Sequence, residues 1–493
     1  MNTRSRSAAT VAVCAATVLG AIGLTPVAAT AAPSVPAPKA KAESTADYNG
    51  DGFADIAIGA PNAKINGVAK AGAVTVMFGS ATGYRNTGGQ TVSRADAGVP
   101  GDPKTDERWG QVDDGGDLNG DGYDDLLVRN HWTSSWTVLW GAKQGLSGGV
   151  ELRGGEGTTA SPRFYNTVAI GDYNGDGAAD LASTANVQPL DEPFDSAKYA
   201  LMLLNGPFDR SGKPAEVVIR YTEVKDNKYA PASLATSDIT GDGIDDLITN
   251  GSWRGSGSPY LVDAGMIYRG SAKGLVPGTV VKGQGWASAS GDINKDGYPD
   301  FVSGQDMYLA AASGGSVRIT YGGPKGTSTT LKPQTFTQDT PGVPGVNEKD
   351  DRFGAAVDLG DVNGDGYADV VIGAPWEDGT EASTNGSGSV TVLLGSAKGV
   401  TTNGAQLFTQ NTKGVPSTSE SRDQFGDKVH IAKAANGRTE VLVGGFGEDR
   451  WVGRVWRLPT NSSGVTGTGS TSVTAKTLSG LGGAVHFGEF FSR

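Results

Sequence analysis

The residues best equipped for chemistry are acidic, and they recur. The segment DYNGDGFAD, starting at Asp47, sets oxygen-bearing side chains at positions 1, 3, 5 and 9, with a glycine at position 6 where the chain must turn sharply. Hard oxygen ligands in this number suit Ca²⁺, to which position 7 can add its backbone carbonyl. In the first loop these are Asp47, Asn49, Asp51, Asp55 and the carbonyl of Phe53. The pattern returns as DLNGDGYDD at Asp117, DYNGDGAAD at Asp172, DITGDGIDD at Asp238, DINKDGYPD at Asp292 and DVNGDGYAD at Asp361, which makes six copies.

Two other readings of these segments fail on particular residues. An EF-hand begins the same way but needs a glutamate at position 12 and flanking helices. Position 12 here is Ile58, Val128, Ser183, Thr249, Ser303 or Ile372, in strand-like surroundings. A plain hairpin turn explains Asn and Gly but not an Asp at positions 1, 5 and 9 of all six copies. Charge points the same way. Without Arg4 and Arg6 the formal charge of −12 becomes −14, while the loops hold 18 such aspartates, so the remainder of the chain is +4. Six Ca²⁺ would bring the total to about −2, which makes the acidity mostly ligand. The ions are expected to be structural, since no acid or base marks an open catalytic position.

The elements that position these loops follow from the repeat. The copies lie 70, 55, 66, 54 and 69 residues apart, and a further 72 residues reach Lys433, where KAANGRTEVLVGG is a worn seventh copy without acidic ligands. Each unit runs from an aromatic-Gly pair through the acidic loop to a short apolar strand, a polar loop and a second strand ending at Gly. The pair is clearest at Trp109-Gly110, Phe353-Gly354 and Phe425-Gly426. ADIAIGAP ends at Pro61 and ADVVIGAP at Pro375, runs of strand length stopped by Gly and Pro. The later strand appears as VTVMFGSATG from Val74, GMIYRGSAKG from Gly265 and VTVLLGSAKG from Val390. Small sheets of this kind must cover their faces and edges, and unequal spacing argues against a stacked solenoid. Seven arranged radially give an all-β, seven-bladed β-propeller with calcium-binding hairpin loops.

Composition agrees: 76 Gly and 23 Pro among 493 residues suit many short strands. Net acidity excludes nucleic acid as a partner. Residues 1–31 read as a signal peptide, with Arg4 and Arg6, an apolar run from Ala8 to Leu24, and Ala29-Thr30-Ala31 before the expected cleavage after Ala31. The mature protein is therefore expected to be secreted and monomeric, without a membrane span. Residues 32–46 form a short linker and 47–493 the propeller. Cys14, the only cysteine, lies in the signal, so calcium must serve where a disulfide would.

The order aromatic-Gly, DxNxDGxxD, Gly-Ala-Pro, repeated over roughly residues 47–491, resembles the FG-GAP repeats of the integrin α-subunit propeller and its secreted bacterial relatives. The resemblance implies calcium between the first two strands of a blade, on the face opposite the usual ligand face. It carries the ligand set onto Asp117, Asn119, Asp121, Tyr123 and Asp125, then Asp172, Asn174, Asp176, Ala178 and Asp180. It continues with Asp238, Thr240, Asp242, Ile244 and Asp246, then Asp292, Asn294, Asp296, Tyr298 and Asp300, and finally Asp361, Asn363, Asp365, Tyr367 and Asp369. Thr240 stands where Asn is usual, which points to a weaker fourth site. The third, fourth and fifth units lack the full pair, reading Phe164-Tyr165, Ala230-Pro231 and Gln284-Gly285. The first unit has no pair before Asp47, while the chain ends HFGEFFSR, so residues 484–493 are expected to close blade one.

Functional signals beyond the loops are sparse. Gly98-Val99-Pro100, Gly342-Val343-Pro344 and Gly414-Val415-Pro416 each precede an aromatic-Gly pair and read equally as ligand-face loops or as a packing device. RNHWTSSWTVLW, from Arg129 to Trp140, reads as a sugar-stacking cluster or, better, as a packed strand. No nucleophile elbow or zinc pattern occurs, and GSWRGSGSPY around Trp253 reads as a loop. Two function classes follow. The favoured one is a non-catalytic binding or adhesion module for an extracellular glycan or protein. The other is a polysaccharide lyase or glycoside hydrolase.

Overall fold

The computed structural model describes residues 46–129, 135–152, 163–187, 198–222, 228–254, 261–282, 285, 287–305, 314–379, 385–433 and 439–492. The expected signal peptide, nearly all of the expected linker, His131 and Trp132 lie outside them. Seven antiparallel sheets follow one another along the chain. Blade one contains Ile56–Ala60, Ala73–Met77 and Gln90–Val92; blade two, Gln111–Gly116, Asp125–Arg129, Trp136–Leu139 and Gly149–Leu152. Blade three contains Arg163–Gly171, Asp180–Val187, Lys198–Asn205 and Glu216–Tyr221; blade four, Lys228–Ser237, Asp246–Arg254, Leu261–Arg269 and Val276–Lys282. Blade five contains Ala287–Gly291, Asp300–Gln305, Ser316–Thr320 and Gln334–Phe336; blade six, Ala356–Gly360, Asp369–Ala374, Ser389–Leu394 and Thr401–Phe408. Blade seven is built from Lys428–Lys433, Thr439–Gly445, Arg454–Asn461 and Thr471–Val473, with Gly464–Val465 pairing the end of its third strand.

The second and third strands of each blade are nearly all buried, as in Ile56–Ala60 and Ala73–Met77, because both faces of the sheet meet neighbouring blades. That explains their continuous apolar runs. First and fourth strands are more polar and correspondingly harder to read in the sequence. Blades three and four, which lack the aromatic-Gly pair, have long first strands of 9 and 10 residues; without the glycine, pairing runs on through the bulge between Pro231 and Ser233. Gly251–Arg254, expected in a loop, extends the second strand of blade four, since it pairs in register with Leu261–Ala264.

The chain's end joins its beginning. Phe491 bridges Ile58 antiparallel, Gly59 N donates to Phe490 O at 2.9 Å, and Ser492 N donates to Ala57 O at 2.9 Å. Phe487 and Phe491 share one buried cluster with Ile56 and Ile58 of blade one and Leu442 and Val455 of blade seven. Blade one thus gains its innermost strand from the C-terminus.

Because each blade is an antiparallel meander, the loops joining strands one to two and three to four leave at one end, called the lower face. Those joining two to three, and the links between blades, leave at the other.

Candidate functional site

All six acidic loops lie at the lower face; five join first to second strands, and the first, residues 47–55, leads into the second strand of blade one. Their folding is repeated nearly atom for atom. The first aspartate (Asp47, Asp117, Asp172, Asp238, Asp292 or Asp361) accepts from the N–H of the position-6 glycine at 2.7–2.9 Å. The fifth (Asp51, Asp121, Asp176, Asp242, Asp296 or Asp365) accepts from the N–H of residue 7 at 2.8–3.1 Å. Residue 7 is Phe53, Tyr123, Ala178, Ile244, Tyr298 or Tyr367. Asn49, Asn174, Asn294 and Asn363 accept from the N–H of residue 5 at 2.8–2.9 Å. Asn119 instead turns inward, its Nδ2 3.2 Å from Asp125 Oδ2.

The ninth aspartate is the buried member. Asp55 accepts from Tyr48 N at 3.1 Å and from Gly79 N, just past the third strand, at 2.9 Å. Asp125, Asp180, Asp246, Asp300 and Asp369 accept in the same way from Gly141, Gly206, Gly270, Gly322 and Gly395 at 2.8–2.9 Å. Each therefore staples its loop to the end of strand three. Those glycines, read only as strand ends, are part of the site. A Cβ on Gly79 would sit 2.3 Å from Ala54 O, and one on Gly322 2.0 Å from Pro299 O. In the worn seventh unit Glu440, opposite Pro459, stands where the ninth aspartate would and is bound instead to Arg457 at 2.8 Å.

Burial, reinforced by the neighbouring carboxylates, pushes these ninth carboxyls far above the usual aspartate range. Asp55, Asp125, Asp246 and Asp369 rise to about 7, Asp180 to about 6 and Asp300 to about 8. Among the described residues no three carboxylates or imidazoles converge at ligating spacing. Mutual repulsion keeps such carboxylates apart, and backbone N–H groups hold them instead. The fit to a cation rests on the donor set. Each loop offers only oxygens, each carboxylate has about four acceptor positions of which N–H donors take one to three, and the buried ninth carboxyl lacks a countercharge.

The loops are also tied to one another. Asp47 N donates to Asp124 Oδ2 at 2.7 Å and Asp172 N to Asp245 Oδ2 at 2.8 Å, while Ala368 N reaches Asp292 O at 3.0 Å. Position 8 thus links loops one to two and three to four, a role invisible within a single repeat. In the second loop, Arg210 from blade three lies 2.5 Å from Asp121 Oδ2, with its guanidinium 5.3 Å from the centre of the Trp140 ring. A fixed cation beside an expected ligand would compete with a bound one. Arg210→Gln is expected to lower the calcium concentration that half-protects the 117–125 segment from hydrogen exchange about two- to fivefold, a modest effect because the arginine is exposed. An unmoved or higher midpoint would contradict this competition.

On the upper face, the three Gly-Val-Pro loops are packing devices. Val99, Val343 and Val415 are buried, and Pro416 O accepts from Trp456 Nε1 at 2.9 Å. Trp136, Val138 and Trp140 are likewise core residues of one cluster. Sequence reasoning missed the carboxyls that anchor this face. Glu448 accepts from Ser417 Oγ and Gln410 Nε2, both at 2.5 Å, and lies 3.3 Å from Arg454 Nε. In blade six, Glu377 accepts from Gln338. Burial raises both carboxyls to about 7. With both oxygens of Glu448 and one of Glu377 engaged by neighbouring side chains, they read as loop anchors.

A ring of antiparallel blades carrying acidic loops ahead of their second strands defines the protein's class, a seven-bladed β-propeller built from repeats. Residues 42–77, 284–319 and 353–393 match the FG-GAP repeat and residues 117–183 the FG-GAP-like repeat, so this is an FG-GAP, integrin-like propeller. The chain is 34% identical to integrin alpha-6 of Homo sapiens over 143 residues, covering 27% of this chain and 11% of that one. To integrin alpha pat-2 of Caenorhabditis elegans it is 32% identical over 237 residues, 43% of this chain and 18% of the other. To integrin alpha-7 of Mus musculus it is 26% identical over 335 residues, 59% and 27% respectively. It thus spans well under a third of the length of these relatives. The solved Dos1 propeller aligns over 71% of this chain and 75% of its own, with 12% identity and a TM-score of 0.34. Among the described residues no helix is long and apolar enough to cross a membrane.

Proposed function

We propose that this chain is an exported, calcium-stabilised binding or adhesion module. In this reading the lower face holds up to six structural Ca²⁺, and the upper face meets an extracellular glycan or protein. The observation that carries the metal assignment is the sixfold recurrence of a buried ninth aspartate, its carboxyl raised by burial, in an all-oxygen loop. When bound, the ion supplies the countercharge that the loop lacks. The protein's own residues do the rest: positions 1, 3 and 5 present oxygens oriented by backbone N–H groups, and position 9 ties the loop to strand three. Removing the ions should therefore loosen the link between strands.

The binding role rests on the integrin-like repeats and on the packing of the upper-face carboxyls, which are engaged as loop anchors. The test is incubation of calcium-loaded protein with chitin, cellulose, β-1,3-glucan and mannan, and with immobilised extracellular-matrix proteins, following both retention and soluble products. Retention without products is the expected result. Release of shortened or unsaturated sugars would replace the binding reading with a lyase or hydrolase, and retention by none of these surfaces would remove it.

A further inference from the structure

Around the ring, adjacent blades meet at a repeated backbone seam on the upper face. The residue before each inward aromatic donates its N–H to a carbonyl in the preceding blade's two-to-three loop. Arg108 N donates to Lys70 O at 2.9 Å, Gln424 N to Gly386 O at 3.2 Å, and His486 N to Trp451 O at 3.0 Å. All six residues have left-handed φ, between 48° and 70°. The fourth such aromatic, Phe353, follows Arg352, whose counterpart Ser313 lies outside the described residues. The backbone geometry is therefore a device of the ring, and what distinguishes a seam is the pair of side chains it displays. Two seams display Lys with Arg or Gly with Gln. The seam between blades seven and one displays Trp with His.

That pair is built into a platform. Trp451 and His486 stack with centroids 5.4 Å apart and planes 25° from parallel. Phe446 lies 5.3 Å from His486 and 5.7 Å from Trp451. Trp451 is nevertheless 38% exposed, and it is the one aromatic among the strongly exposed large apolar side chains of the described residues. Its loop is held from below by buried Glu448. A carboxylate borders the rings: Glu489 lies 3.1 Å from His486 Nδ1. In the same loop as Trp451, Asp449 is paired with Arg454 Nη2 at 2.8 Å.

We infer that the Trp451–His486–Phe446 platform at the blade seven–one seam is a subsite for a pyranose ring of a glycan. This rests on the binding reading above and names its ligand class and place. A pyranose has one apolar C–H face and a hydroxylated rim. The negative π-face of an exposed indole attracts the C–H face, and the Glu489 carboxylate beside His486 can accept from hydroxyls. A protein partner is disfavoured because protein hot spots sit within multi-residue patches that exclude water. The other exposed large apolar residues, Val217, Val276, Val280 and Val346, belong to blades three and four and to the loop between blades five and six. The stack also pre-orders the ring, so little side-chain freedom is lost on binding.

The experiment compares wild type with Trp451→Ala and Trp451→Phe on chitin, cellulose, β-1,3-glucan and mannan, with melting temperature as a control. Wild type should be retained on at least one polysaccharide, Trp451→Ala at least about tenfold more weakly, and Trp451→Phe in between. All three should melt within about 2 °C of one another, since the ring is at the surface. Equal retention of wild type and Trp451→Ala would overturn the subsite while leaving the binding module in place. Retention on immobilised protein but on none of the glycans would overturn the ligand class.

Discussion

A chelator at pH 7.5 is expected to lower the melting temperature by about 15 °C, and added calcium to restore it. The magnitude follows from linkage. A ligand at a hundredfold excess over its Kd contributes about 2.7 kcal/mol per site if it binds only the folded state. The unfolding entropy of a propeller this long is about 1 kcal/mol/K, so six such sites correspond to about 15 °C. The pH dependence has a definite sign. The ninth aspartates have folded-state pKa values of about 6 to 8 against 3.8 for the ordinary side chain. A raised carboxyl stabilises the fold while protonated, fully below pH about 4, and that contribution is lost as pH rises to about 7. Chelated protein should accordingly melt higher at pH 5 than at pH 7.5. Calcium-loaded protein should show a smaller fall or a rise, because protons compete with the ion for the same oxygens. Glu377 and Glu448 titrate in the same direction with or without calcium, so the two curves need not be mirror images. Scanning calorimetry at both pH values decides it, and identical melts with and without chelator at pH 7.5 would refute structural ions.

What the sequence shows and hides follows from the range of the interactions. The acidic loop is local, nine residues whose N–H and side-chain groups satisfy one another, so it is legible in every copy. The second and third strands are legible because burial on both faces demands unbroken apolar runs. Gln111–Gly116, with Asp113 and Asp114 inside it, does not look like a strand, because its aspartates serve contacts made elsewhere. Asp114 Oδ2, for example, accepts from Ile170 N of the next blade at 2.8 Å. The staple glycines were visible as strand ends, yet their function depends on Asp55–Gly79 and its equivalents, pairs about 16 to 26 residues apart. Trp451 and His486 are 35 residues apart in different repeats. Nothing in either segment alone suggests that they stack.

The C-terminal segment makes the second large prediction. Deleting residues 484–493 removes Phe487, which is fully buried, and Phe491, which is nearly so, along with the backbone bonds to Ala57 and Gly59. Losing a buried phenylalanine costs about 3–5 kcal/mol. Two of them, with an unpaired strand besides, come to about 10 kcal/mol, and the expected fall in melting temperature is about 10 °C. The deletion would also expose Ile56–Ala60 as a bare sheet edge, which invites pairing with another chain. Size-exclusion chromatography should therefore show dimers or larger species. Should the truncated chain fail to fold, Phe491→Ala offers a milder probe, with an expected loss of about 4 °C and no change of oligomeric state. A synthetic peptide of residues 484–493 added to truncated protein should recover part of the lost stability, since it can occupy the same edge as a separate strand. A ring whose truncated form melts with the full-length chain and stays monomeric would show that blade one is complete without its last strand. Phe487 and Phe491 would then be covering a core that could close over without them.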